Sequence, residues 1–183
     1  MRTRLFFALM LLAAVVAASP VFAVDTDTES SVVGGTIPEL CQLRIAGTVA
    51  DLLTLTQDGS GEAAYDAGFI NSATNATVLT IDSNAPWVLS VTATAWAANG
   101  AYTKPLTDLL LHITNAQIGT DPGGYVDDFV SPPAALDPML TDAAVGVSNR
   151  AVYIQTRVLL NWADDIPGVY STTLVYTLAA TEL

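Results

Sequence analysis

The sequence has few of the residues on which catalysis and metal binding usually depend. It contains one cysteine and one histidine in 183 residues. A single cysteine, Cys41, excludes an internal disulfide bond. The one histidine, His112, lies between apolar neighbours in a predicted strand, so we exclude a catalytic triad and a metal site with several histidines. A Cys41–His112 dyad would need hydrogen-bond proximity that a sequence does not show, and we expect a protein that is not an enzyme.

Cys41 itself has two interpretations. It alternates with Leu43 and Ile45 in a predicted strand, Ile37–Ile45, on the face that we expect to point inward. Free cysteine is among the most buried residue types, which favours a thiol in the core. The alternative is a bond to Cys41 of a second chain.

Basic residues are also scarce. Six Lys and Arg stand against 18 Asp and Glu, which gives a formal net charge of −12 at pH 7. A field of that sign repels nucleic acid and anionic lipid, so we expect neither as a partner. The same charge favours solubility outside the cell and attracts cations.

Long apolar runs are absent except at the N-terminus. Arg2 and Arg4 precede an uncharged apolar run over residues 5–18, which predicts a signal peptide over residues 1–23. The run is short for a membrane span, although an uncleaved signal anchor is the alternative. We therefore expect an exported, extracellular or cell-surface protein with no membrane span in its mature part. Polar residues 24–36 predict a flexible leader, and residues 37–183 one domain.

The remaining chain shows the alternation typical of strands rather than a helical period of 3.6. The clearest case is Asn84–Thr94, where Trp87, Leu89 and Val91 share one face. We expect this strand at the centre of the core, paired in a hairpin with the strand before it. The other predicted strands are Leu52–Thr56, Thr77–Asp82, Leu106–Thr114, Ala151–Trp162 and Tyr170–Ala179. Short strands bounded by turns predict an all-β, antiparallel, immunoglobulin-like sandwich.

Acidic residues cluster in the least regular segment, residues 115–140, which we expect to be a surface loop. Asp121, Asp127 and Asp128 offer the oxygen ligands that calcium prefers. Their spacing does not match a helix–loop–helix calcium site, so a solvated loop is the stronger interpretation. The pairs Asp127-Asp128 and Asp164-Asp165 could serve glycoside hydrolysis, but aspartate is also common in turns.

Two aromatic residues have predicted roles of their own. Tyr170 follows the turn Ile166-Pro167-Gly168, where a tyrosine hydroxyl can clamp a corner of a sandwich. Trp96 lies at the edge of a predicted loop over residues 97–105. We expect its ring to be exposed and able to stack on carbohydrate.

Two stretches resemble the WxL domain of bacterial surface proteins. Trp87-Val88-Leu89 is a W-x-L followed by a Thr-rich strand, and residues 104–116 follow in the family's order. Near the C-terminus, where the family usually carries a second W-x-L, this chain has Tyr176-Thr177-Leu178. The resemblance implies an extracellular sandwich held non-covalently at the cell surface, with peptidoglycan as ligand. The matching positions are Trp87, Leu89, Tyr176 and Leu178, although their alternation already explains them as core residues.

The sequence therefore supports two functional hypotheses. The first is a non-enzymatic module that binds cell-wall polysaccharide or other surface proteins, without a cofactor unless calcium binds. The second is a structural subunit of a surface filament or coat that self-associates by lending a strand, such as its leader, to a neighbour.

Overall fold

Eight β-strands and one α-helix make up the part of the chain that the computed structural model describes. This part comprises residue 34 and residues 36–181, except 48, 50, 51, 58, 144 and 145. The predicted signal peptide and most of the predicted leader lie outside it. The elements are β1 (Cys41–Ala46), α1 (Ser60–Ala67), β2 (Phe69–Asn71), β3 (Thr77–Ser83), β4 (Trp87–Ala93), β5 (Leu109–Ala116), β6 (Asp137–Asp142), β7 (Val147–Leu159) and β8 (Leu174–Ala180).

The strands form two antiparallel sheets. The larger sheet contains β1, β2, β3, β5 and β7, and the smaller sheet has the order β6-β4-β8. β7 pairs with three of the other four strands of the larger sheet. Its residue Val158 pairs with Ile70 of β2 on one side and with Leu109 of β5 on the other. β2 and β3 therefore follow one another along one edge of β7, while β5 lies along the other edge.

The core fills the space between the two sheets. Side chains alternate between buried and half-buried along β3, and Leu79 and Ile81 are fully buried. Trp87, Leu89 and Val91 of β4 face them with at most 1% exposure. Burial of each such side chain stabilises the fold by about 1.5–3 kcal/mol. The prediction of an antiparallel all-β sandwich around Trp87 is confirmed.

The predicted hairpin between β3 and β4 is wrong. β3 pairs with β1 and β7 in the larger sheet, whereas β4 lies in the smaller one. In the link between them Asn84 is exposed but Ala85 and Pro86 are buried, and the hydroxyl of Ser83 donates to the Ala85 carbonyl at 2.7 Å. Pro86 has no N–H to donate to a ladder, so the chain leaves one sheet here and enters the other.

The predicted strand over residues 52–56 is also wrong. Residues 52–57 form a turn and coil, and the helix α1 follows, which the sequence pattern did not predict. The helix ends at Ala67 and is capped by Gly68, which has φ +78° and donates to the Tyr65 carbonyl at 3.0 Å. Glycine is common at this position because the left-handed conformation costs it nothing. Eight residues are too few for a helical period to be recognised.

Several predicted boundaries and faces also differ. β7 ends at Leu159, and Trp162 beyond it is 61% exposed, not part of an inward face. Ile45 at the end of β1 is 61% exposed as well, and Cys41 is only half-buried. The 115–140 segment is not simply a surface loop, since Tyr125 is fully buried and its hydroxyl donates to Asp137 at 2.8 Å.

Candidate functional site

Of the residues that carry the WxL resemblance, two lie in the core of the sandwich, and half-buried Tyr176 and Leu178 pack against it. Trp87 and Leu89 are buried, and Leu89 pairs with Leu178 of β8 across the smaller sheet. Tyr176 pairs with Val91 in the same ladder. The structure therefore brings these positions together, but as packing residues rather than as an exposed binding surface.

Trp96 is not available for stacking, contrary to the expectation of an exposed ring. It is 6% exposed and packs with Ala93, Leu109 and Val158. The backbone on both sides of it is tied to the segment entering β8, since Ala97 N–H donates to the Ser171 carbonyl at 2.8 Å. This pairing turns the indole inward.

The acidic residues of the 115–140 segment are not gathered into a metal site. Asp121 accepts hydrogen bonds from the backbone N–H groups of Gly123 and Val126, and Asp128 accepts one from the Phe129 N–H at 2.7 Å. Within the described ranges, no three His, Cys, Asp or Glu side chains come together as metal ligands. These bonds are the ones that aspartate makes in turns.

A cleft of about 610 Å³ lies where α1 meets the turn that follows β7. We call it the aromatic cleft. Its lining combines ring faces with charged groups, the mixture that is typical of ligand sites. The residues used below are Glu62, Tyr65, Lys104, Trp162, Asp165 and Tyr170.

Trp162 and Tyr65 form the aromatic wall of this cleft. Their ring centroids lie 4.7 Å apart with planes inclined by 37°. The indole N–H of Trp162 donates to Asp66 at 3.1 Å, which holds the ring in place although it is 61% exposed. Burial, and then the negative charge of Asp165, raise the pKa of Tyr65. An exposed indole that is fixed in orientation offers a flat apolar face to a ligand.

Tyr170 closes one side of the cleft and clamps the turn before it. Its hydroxyl accepts a hydrogen bond from the Ile166 N–H at 3.1 Å and donates one to the Ile166 carbonyl at 2.5 Å. The prediction that Tyr170 clamps a corner is therefore confirmed. The clamp fixes the path of the turn that carries Asp165.

Lys104 and Asp165 form a buried ion pair at the floor of the cleft. Lys104 Nζ lies 2.7 Å from Asp165 Oδ1, and the two side chains are 1% and 2% exposed. Burial disfavours the charged carboxyl, but hydrogen bonds from Lys104 and from the Asn161 N–H outweigh burial, so the pKa of Asp165 lies below its usual value. Burial and a hydrogen bond to Asp165 raise the pKa of Tyr102 to about 12.

Two of the pairs that the sequence left open as chemical alternatives, Asp164-Asp165 and Cys41–His112, are not assembled as such. Asp165 is bound to Lys104, whereas its neighbour Asp164 is exposed and accepts a hydrogen bond from the Asn161 side chain. Cys41 and His112 lie on β1 and β5, at opposite edges of the larger sheet. The Cys41 thiol donates to the Leu178 carbonyl at 3.6 Å, and His112 contacts the ring of Phe129.

Sequence reasoning missed both Trp162 and the Lys104–Asp165 pair. The run Asp164-Asp165-Ile166-Pro167-Gly168 is a turn signal, and it could have shown that Trp162 lies where β7 has already ended. The ion pair has no local signal, because its partners are 61 residues apart.

A second apolar groove, of about 330 Å³, lies between the end of β1 and the segment entering β8. We call it the edge groove. Ile45 and Gly47 line one side, and Thr172 and Leu174 line the other. Among the described residues, β1 pairs only with β3 and β8 only with β4, so each presents an unpaired edge.

No helix in the described part of the chain is both long and apolar enough to cross a membrane. No protein-family model matches the sequence, and no curated protein is significantly similar to it.

Proposed function

We propose that this chain is an exported cell-surface module that binds cell-wall glycan non-covalently, through the aromatic cleft. The observation that carries the proposal is the fixed, 61% exposed indole of Trp162 beside Tyr65. The apolar faces of sugar rings stack on such indoles, and few other surface features of a protein favour an uncharged, hydrophilic polymer. The WxL resemblance suggests peptidoglycan as the polymer.

Charge determines which part of the wall the cleft would contact. The chain carries a net charge of −12, so anionic wall polymers would be repelled. Within the cleft, the positive charge of Lys104 is already paired with Asp165 and Asp108. Glu62 remains to accept hydrogen bonds from sugar hydroxyls, whereas the phenol of Tyr65 is already hydrogen-bonded to Asp165. We therefore propose the uncharged sugar rings of the glycan strand as the contact, and binding rather than catalysis as the activity.

Sedimentation with purified peptidoglycan tests this function. We expect the protein to be retained, and Trp162→Ala to weaken retention by about tenfold, since loss of one aromatic stacking contact is worth about 1–1.5 kcal/mol. Val169→Ala is the matched control, because Val169 is 84% exposed and does not line the cleft. Absence of retention, or equal retention of Trp162→Ala and the wild type, would contradict the proposal.

The same assay tests calcium. We propose calcium only as a bridge between exposed carboxylates of the acidic chain, such as Asp127, and the wall, because Asp121, Asp127 and Asp128 do not form one site. Retention that is lost with a chelator and in Asp127→Asn would support the bridge. Retention that is unchanged by the chelator would leave stacking as the only mode.

A second candidate function is assembly into a surface filament or coat by strand exchange. Two observations favour it: the unpaired edges of β1 and β8 lie on the same side, joined by the Cys41–Leu178 contact, and the edge groove lies there with Ile45 exposed. An unpaired edge is a template for a strand from another copy. We expect concentration-dependent assembly that Ile45→Lys abolishes and Val169→Lys does not. A species that stays monomeric at all concentrations in analytical ultracentrifugation and electron microscopy would exclude this function.

A further inference from the structure

At the floor of the aromatic cleft, Lys104 and Asp165 meet a third charged side chain, Asp108, which lies outside the cleft. Lys104 Nζ lies 2.7 Å from Asp165 Oδ1 and 2.9 Å from Asp108 Oδ2. Lys104 and Asp165 are almost completely buried, whereas the Asp108 side chain is 22% exposed. An amine and a carboxyl are therefore held in contact away from water, with a second carboxyl against the amine.

Burial by itself disfavours the charged pair relative to its neutral form, although hydrogen bonds to Asp165 keep the ion pair as the resting state. Taking two ions out of water is costly, and moving one proton from Nζ to the carboxyl over 2.7 Å gives a neutral amine beside a neutral acid. Reacting groups that are held in contact within one molecule behave as if at concentrations of about 10⁵–10⁸ M. The ion pair is thus the resting state of two groups that are placed to react.

We propose that Lys104 and Asp165 condense to form an intramolecular amide cross-link. The Nζ lone pair attacks Cγ of Asp165, and the Nζ–Cγ bond forms. Asp108 accepts a proton from Nζ and returns it to Oδ1, which leaves as water when the Cγ–Oδ1 bond breaks. One water is released for each amide formed, nothing is oxidised or reduced, and no co-reactant is needed.

Two further groups are placed to assist this step. The Tyr102 hydroxyl donates to Asp165 Oδ1 at 3.0 Å, and the Asn161 N–H donates to Oδ2 at 3.0 Å. Donors that are already oriented stabilise the negative charge that develops on a carboxyl oxygen during attack. The Asn161 N–H holds the oxygen that remains in the amide, and Asp108 is the general base and acid.

The product would join the segment before β5 to the turn after β7, 61 residues later. It would fix the floor of the aromatic cleft covalently in a chain whose one cysteine cannot provide an internal disulfide. This inference does not depend on glycan binding, because it is read from the mass of the protein and not from retention on the wall.

Mass spectrometry of the purified, folded protein tests the cross-link. We expect an intact mass one water below that of the linear chain, and a branched peptide joining the Lys104 and Asp165 segments after protease digestion. Lys104→Arg keeps a positive charge but cannot form the amide, and should show the full mass. Asp108→Asn should show the full mass or slow cross-linking, whereas Asp128→Asn, which changes an exposed loop aspartate, should behave as the wild type.

A result that contradicts the cross-link would be equally clear. Folded wild-type protein that keeps the full mass after prolonged incubation, with no branched peptide, would overturn it whether or not the variants fold. Asp108→Asn that cross-links as fast as the wild type would overturn the role of Asp108. Neither result bears on whether Trp162 binds glycan.

Discussion

Tyr170 returns across its own turn to Ile166, with its hydroxyl accepting from the Ile166 N–H and donating to the Ile166 carbonyl. Without this hydroxyl, the Ile166 N–H and carbonyl would lose their hydrogen-bond partner in the protein and would bond to water instead. We therefore expect Tyr170→Phe to lower the free energy of unfolding by about 1 kcal/mol, as measured by urea denaturation. Tyr153→Phe is the control, because the Tyr153 hydroxyl makes no side-chain hydrogen bond within the described residues. Equal stability of the two variants would contradict the clamp.

Trp87 and Trp162 provide a direct comparison of a buried and an exposed tryptophan. Trp87 is 1% exposed and Trp162 is 61% exposed. We expect Trp87→Ala to destabilise the protein by about 3–5 kcal/mol through loss of packing and a cavity. Trp162→Ala should cost less than about 1 kcal/mol while weakening glycan retention. Thermal and urea unfolding measure both, and a reversed order would refute the assignment of Trp87 to the core.

Both the backbone conformation at residue 47 and the lack of room for a side chain there require a glycine. It has φ +83°, and a Cβ placed on it would lie 1.9 Å from the Ala76 carbonyl oxygen. Gly100 has φ +62° but no atom within 4 Å of the same position. We expect Gly100→Ala to cost about 1–2 kcal/mol from conformation alone, and Gly47→Ala about 1–3 kcal/mol more from the clash. Equal denaturation midpoints for the two variants would exclude the steric effect.

Asp82 links three strands of the larger sheet and makes its stability depend on pH. Its carboxyl accepts hydrogen bonds from the Asn149 N–H and the Ser148 hydroxyl and pairs with Arg44 at 2.6 Å. The Asn149 bond, then the Ser148 bond and, more weakly, Arg44 lower the pKa of Asp82 below its usual 3.8.

A carboxyl with a lowered pKa in the fold stabilises the protein above its unfolded-state pKa, and this stabilisation is lost as the pH falls through the folded-state pKa. We expect the free energy of unfolding to fall below about pH 4, and Asp82→Asn to reduce the slope. Denaturation at a series of pH values measures this, with Asp127→Asn as the exposed control. An unchanged slope in Asp82→Asn would contradict the assignment.

The strands that alternate most regularly were predictable from the sequence. β3, β4, β5 and β7 show inward residues at every second position, and this period is a local property of the chain. Trp87 could be assigned to the core for the same reason. The corner at Tyr170 was predictable because the preceding Pro-Gly turn fixes where the closing segment begins.

The sequence did not show which strands and which charged side chains would pair in the folded protein. A strand with one apolar face fits either sheet, so the pattern of β3 and β4 did not show that they lie in different sheets. The helix α1 is two turns long, and tertiary contacts rather than propensity determine such short elements. Lys104 and Asp165 meet only because the loop before β5 and the turn after β7 fold to the same place.

The position of β7 in the chain has a consequence for how the protein is made. Every strand of the larger sheet except β1 hydrogen-bonds to it, yet it begins only at Val147. Among the described residues β2 and β5 pair with no other strand, so they must wait for β7 as they leave the ribosome, and pairings between segments distant in sequence form slowly. The larger sheet therefore cannot be completed before residues 147–159 have left the ribosome.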